Sequence, residues 1–181
     1  MPKHVGIVAC SAEGAALCYR TICDEAPALM GPHRHPEISM HTHCLGEYME
    51  FIRRYDWPGV AELMQSSANK LAKAGADFLI SPDNTIHHAF DFVASHSPLP
   101  WLHIVDEVAA VANARGFHKL AVTGTKYTME GTVYQAKLPD AGFEYVVPNA
   151  DERAEIDRII DRKSTRLNSS HSGESRMPSS A

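Results

Sequence analysis

The chain has 181 residues, 44% hydrophobic and 22% charged, with 17 Lys and Arg against 22 Asp and Glu for a net charge of −5. That is the make-up of a globular chain with room for one domain or two small lobes, and an acidic balance without a Lys/Arg run gives nucleic acid no electrostatic footprint. No apolar stretch approaches the roughly 20 residues of a membrane-spanning helix, no charged segment leads into the apolar core of a signal peptide, and four cysteines without framework spacing (Cys10, Cys18, Cys23, Cys44) point to a reducing cytoplasm.

His4-Val5-Gly6-Ile7-Val8-Ala9-Cys10 is a short apolar run rich in β-branched residues, the pattern of a strand buried on both faces. Ser11-Ala12-Glu13-Gly14 follows as a turn and 15–26 as a helix. Ser11 and nearby amides in such a strand–turn–helix can cradle an anion. The turn has neither G-x-G-x-x-G nor G-x-x-x-x-G-K-[ST], so it is not read as a nucleotide phosphate loop. Cys10, Cys18 and Cys23 read as core or lining residues rather than nucleophiles.

A Gly/Pro loop (31–36) leads to a second strand over 37–43, where alternation puts His41 and His43 on one face. His33, His35, His41, His43 and Cys44 offer the donors zinc takes, but their spacing matches no common site. No metal is expected, and a pocket-lining or carboxylate-binding histidine is preferred.

Residues 45–55 read as a helix, broken by Trp57-Pro58-Gly59, and 60–74 as the next, ended by Gly75. The stretch Leu79-Ile80-Ser81-Pro82-Asp83-Asn84-Thr85-Ile86-His87-His88 then organises the chain. It predicts the end of a buried strand over 77–81, a tight turn, and a helix over 84–94. Open α/β sheets place ligands where strands give way to helices. Asn84 and Thr85 would lie at a helix N-terminus, which favours a carboxylate or phosphate. Asp83 is either a general base tuned by its surroundings or a helix N-cap.

Ser97-Pro98-Leu99-Pro100 separates this half from a second with the same rhythm. It runs strand 101–104, helix 105–115, strand 119–123, a hydroxyl-rich turn, helix 130–138, strand 143–147 and helix 151–160. In the turn, Thr125 and Thr128 either hydrogen-bond a ligand carboxylate or cap the helix. Alternating strands and helices imply parallel sheets joined by right-handed crossovers. The expected division is a first α/β lobe over 1–98, a partial second lobe over 99–162, and a tail over 163–181. The tail, from Lys163, is Ser-rich and nearly free of apolar residues, reads as disordered, and resembles translated adapter sequence. Without it the body carries 14 basic and 21 acidic residues, a net charge of −7.

Several of these motifs together resemble the aspartate/glutamate racemase family, which includes hydantoin racemase, maleate isomerase and arylmalonate decarboxylase relatives. They are Val5-Gly6-Ile7-Val8, Gly75-Ala76-Asp77, Asn84-Thr85-Ile86-His87, Pro100-Trp101-Leu102-His103-Ile104-Val105-Asp106 and Thr123-Gly124-Thr125-Lys126-Tyr127-Thr128-Met129-Glu130. The resemblance implies an α/β fold of two similar lobes, parallel sheets flanked by helices, with the site in the cleft between them. It further implies racemisation without PLP, metal or nucleotide, by two opposed acid/base groups, usually cysteines, one from each lobe. Carried over by position, Asn84, Thr85, Thr125 and Thr128 bind the substrate carboxylate, with Ser11 a weaker candidate. A homodimer is also implied.

Two departures stand out. Asp83 occupies the place of the first cysteine, with His87 or a second-strand histidine as its assistant. The second cysteine belongs beyond the 151–160 helix, and all four cysteines here lie in the first lobe. The second lobe is therefore expected to be incomplete, with an open sheet edge and an uncovered apolar face. The leading expectation is a racemase-family protein acting on an acidic amino acid or small dicarboxylate, with Asp83 as the first-lobe acid/base and little activity in this chain. Isomerase or decarboxylase chemistry and a non-catalytic carboxylate binder are the alternatives. Lys126, Arg53 and His41 are the candidate partners of a distal carboxylate.

Overall fold

A computed structural model describes residues 3–170, with side chains described for 3–162. Two parallel sheets form, one in each half of the chain. In the first, β1 (Val5–Ala9) lies between β2 (Ile38–Thr42) and β3 (Phe78–Ile80), in the order β2-β1-β3. Every residue of β1 is buried, as its unbroken apolar run requires of a strand with neighbours on both edges. Gly6 is demanded by packing: a Cβ there would stand 2.6 Å from Leu79 Cδ2 and 3.1 Å from the Ala76 methyl.

The helices of the first half are α1 (Ala12–Glu25), the short α2 (Pro27–Met30), α3 (Leu45–Ile52) and α4 (Trp57–Lys73). α4 starts earlier than the expected break at Trp57-Pro58-Gly59. Proline is tolerated in a first turn, and the Asp56 carboxylate caps it by accepting from Gly59 N at 3.0 Å. Val60, Met64 and Leu71 from α4 meet Val8, Tyr48, Ile52 and Leu79 in the first apolar core. Each such fully buried aliphatic side chain contributes about 1.5–3 kcal/mol.

After β3 the expected single helix over 84–94 is instead a 3-10 turn, Thr85–Ala89, followed by α5 (Phe90–Ala94). The strand expected at 101–104 is one parallel bridge, Trp101 to Leu79, which extends the first sheet. The chain turns helical at Ile104, which leaves no length for a longer ladder. Leu79 N donates to Pro100 O at 2.8 Å and Leu102 N to Leu79 O at 3.0 Å. His103 then caps α6 (Ile104–Ala114), its Nδ1 accepting from Val105 N.

The second sheet pairs β4 (Lys119–Ala121) with β5 (Glu144–Val146). Its core gathers Val105, Ala112, Val122, Tyr134, Leu138 and Phe143. Val111 and Phe117 are about half exposed on this side of the molecule. The expected helix over 130–138 is α8 (Thr132–Asp140), and the hydroxyl-rich turn expected before it is itself helical, α7 (Lys126–Glu130), the two being separated by extended backbone at Gly131 (φ −87°, ψ 172°). The last helix, α9, runs Ala150–Ser170, so helical backbone continues through 163–170, which composition had placed in the tail. Residues 171–181, the rest of that expected tail, lie outside the described residues. No described helix is long and apolar enough to cross a membrane.

Candidate functional site

The carboxyl ends of β1 and β3 lie side by side because the two strands pair in parallel. Asp83, just past β3, therefore reaches the β1–α1 loop. Its Oδ2 accepts from Cys10 N at 3.0 Å and Ser11 N at 3.2 Å, and its Oδ1 accepts from Ser11 N at 3.2 Å and from the Ser11 hydroxyl. Ser11 also caps α1 by accepting from Gly14 N. The amides and hydroxyl expected to cradle an anion around Ser11 are taken up by this chain's own Asp83. Nor does Asp83 cap the turn that follows it, the role helix statistics favour. Its charge and burial together raise the thiol pKa values of Cys10 and Cys18, burial being the larger cause, so both stay protonated.

Asn84 and Thr85 head a 3-10 turn rather than an α-helix, so no helix dipole is aimed at a ligand there. They act through side chains that cross to the second half. Asn84 Oδ1 accepts the Tyr134 hydroxyl from α8. The Thr85 hydroxyl lies 3.2 Å from that of Thr125, which lies 3.2 Å from that of Thr128. Thr125 is the N-cap position of α7, yet its side chain caps nothing and joins this chain of hydroxyls instead. Thr128 is buried, while Thr85 and Thr125 are half-buried. Three of the expected carboxylate binders, from opposite halves of the sequence, converge at one place. A hydroxyl both donates and accepts, so the trio can turn its donors toward an incoming carboxylate.

Two histidines stiffen this junction. Ile104 N donates to His87 Nε2 at 3.3 Å, which leaves the ring proton on Nδ1, donating to Asp83 O at 2.9 Å. His87 thus holds the backbone of Asp83, not its carboxylate, and burial pushes its pKa down to about 4, so the ring is neutral at pH 7. His88 stacks on Trp57 with ring centroids 4.5 Å apart and donates from Nε2 to Tyr127 O at 3.0 Å. From sequence, His88 has no role beyond its place in the 79–88 stretch, and Tyr134 lies in no motif, since a tyrosine at a buried helical position reads as core.

The second-strand histidines share a face as expected, with ring centroids 4.9 Å apart. His41 bonds the Ser67 hydroxyl through Nδ1 at 3.0 Å and Lys70 through Nε2 at 2.9 Å, and His43 lies 3.9 Å from Glu47. His35 contacts its neighbour's carbonyl, Pro36 O. Among the described residues no group of three His, Cys, Asp or Glu side chains is placed to hold a metal. Of the expected partners for a distal carboxylate, Lys126 lies over the Tyr127 ring at 5.1 Å, and Arg53 is the exposed C-cap of α3.

Beside Thr128 opens a cavity of about 230 Å³ between β4, α6 and α8. Asn84, Thr123, Thr128 and Tyr134 supply its polar groups, and aliphatic side chains such as Val108 and Leu138 the remainder.

A two-lobed α/β protein with hydroxyls from both lobes meeting at strand ends is the class that the fold and site define. Residues 7–174 match the model of the Asp/Glu/Hydantoin racemase family, and the chain belongs to it. The match runs past Lys163, where composition changes. The broad-specificity amino-acid racemase RacX of Bacillus subtilis (strain 168) is 31% identical over 94 residues, 52% of this chain and 41% of that protein. The match thus spans less than half of that relative's length. A candidate Asp/Glu racemase from Yersinia pestis has a similar structure, with a TM-score of 0.81 at 30% identity over 88% of this chain and 70% of that one. An aspartate racemase homologue from Pyrococcus horikoshii OT3 gives 0.78 at 29% identity, with the same coverage of 88% and 70%.

Proposed function

We propose that this chain binds the α-carboxylate of an amino acid on the hydroxyls of Thr85, Thr125 and Thr128, and that Asp83 is the first-lobe group handling the α-proton, without a cofactor. The hydroxyl chain across the two lobes is the observation that carries this reading. The α-proton would pass to an Asp83 oxygen while the electron pair spreads into the α-carboxylate. The threonine donors then stabilise the charge that group gains. Inversion further requires a proton donor on the opposite face. No cysteine follows Cys44, so the second thiol of a two-thiol racemase is not in this sequence. A reducing, cytoplasmic setting suits the four free cysteines.

The donors on Asp83 favour a second reading, in which the protein binds its ligand without turnover. Both carboxylate oxygens already accept hydrogen bonds from Cys10 and Ser11. Taking a proton requires one of these donors to give way. Proton NMR in deuterated buffer separates the readings. Loss of the α-proton signal of a bound amino acid without change of optical rotation supports Asp83 as a one-sided base. Binding with the signal intact supports the non-catalytic reading. Exchange with full racemisation by this chain contradicts the expectation that its second proton-handling group is missing.

A further inference from the structure

The threonine cluster and the cavity next to it share a residue. Thr128 bonds Thr125 on one side and lines the cavity on the other. An amino acid held by its carboxylate on the threonines therefore has an adjoining space for its side chain. A water's share of liquid volume is about 30 Å³, so a cavity of about 230 Å³ offers room for a side chain of several non-hydrogen atoms.

Every residue lining this space is uncharged. The nearby cation of α8, Lys137, is already paired with Asp106 at 2.8 and 3.0 Å. A carboxylate placed here would give up its hydration without gaining a counter-ion, which is the costly way to bury a charge. The polar groups suit a neutral ligand better. Burial raises the Tyr134 pKa, so its hydroxyl keeps the proton it donates to Asn84 Oδ1. The Asn84 NH2 group has no partner among the described residues, and Thr123 adds a hydroxyl.

We infer that the cavity beside Thr128 holds the ligand's side chain and selects a neutral one, of the size and polarity of methionine or glutamine, over the acidic side chain that the sequence suggested. This inference rests on the proposed carboxylate site. Thermal denaturation with L-methionine, L-glutamine, L-aspartate and L-glutamate in turn tests both.

The neutral amino acids raise the melting temperature by a few degrees, the ordinary signature of ligand binding to the folded state, and the acidic ones do not. A larger or equal rise with aspartate or glutamate overturns the neutral side-chain assignment while leaving the carboxylate site standing. No rise with any of the four overturns both. Val108→Lys gives a second readout. Val108 lines the cavity from α6 and is 39% exposed, so a lysine there folds and brings an ammonium group to the rim. It should shift the ratio of glutamate to glutamine affinity toward glutamate by about tenfold. An unchanged ratio means the side chain lies elsewhere.

Discussion

His87 sets the pH behaviour of the junction. In an unfolded chain imidazole takes up its proton near pH 6.5, whereas in the fold burial delays this to about 4. Between those values the unfolded chain binds more protons than the folded one, so stability rises with pH across the window. The contribution is complete above about pH 6.5 and is lost as pH falls toward 4, at a cost of up to about 3 kcal/mol. His103, whose pKa burial and Lys137 both lower, acts in the same direction. Urea unfolding should therefore show a clear fall in midpoint between about pH 7.5 and about pH 5, and His87→Gln should flatten that fall. A midpoint insensitive to pH over this range contradicts a buried neutral His87.

At the scale of elements, the break between α7 and α8 has a specific steric cause. A Cβ on Gly131 would lie 2.2 Å from His88 Nε2 and 2.3 Å from Tyr127 O. His88 is fixed there by its stack on Trp57, so the loop has no slack. Gly131→Ala should cost about 2–3 kcal/mol through overpacking. Gly116→Ala, with φ of 71° and open space around it, should cost about 1 kcal/mol through backbone strain alone. Melting temperatures of the two variants check this, and an equal or smaller loss at Gly131 would show that His88 can swing away.

β1 is legible because an unbroken apolar run states its own burial, and β2 because its residues alternate between two faces although none of them is buried. The break at Gly131 is not, because it depends on an imidazole more than forty positions earlier in the chain. The strand predicted at 101–104 gives way because His103 caps a helix that begins at Ile104, and the early start of α4 is hidden in the capping carboxylate of Asp56. At the site, the sequence singled out Thr85, Thr125 and Thr128 one by one, and the fold brings their hydroxyls together. The partner of the Ser11 cradle, Asp83, could be found only once β1 and β3 were paired.

Among the described residues the molecule is two hydrophobic cores that meet at a seam, where polar groups of the two halves pair and the Tyr127 ring packs on the first core. Thr85, Asn84 and His88 meet Thr125, Tyr134 and Tyr127 O from the other half. A carboxylate on the threonines would therefore be gripped by both lobes at once, and binding should tighten the seam. Calorimetric titration of a stabilising amino acid into the wild-type chain and Thr125→Ala tests this most directly. Thr125 is the middle of the three hydroxyls, and a hydrogen bond to a charged group is worth about 1.5–3 kcal/mol. The variant should therefore bind about ten- to a hundredfold more weakly, with its own unfolding little changed. Undiminished affinity in Thr125→Ala would contradict the central claim and remove the threonine seam as the ligand site.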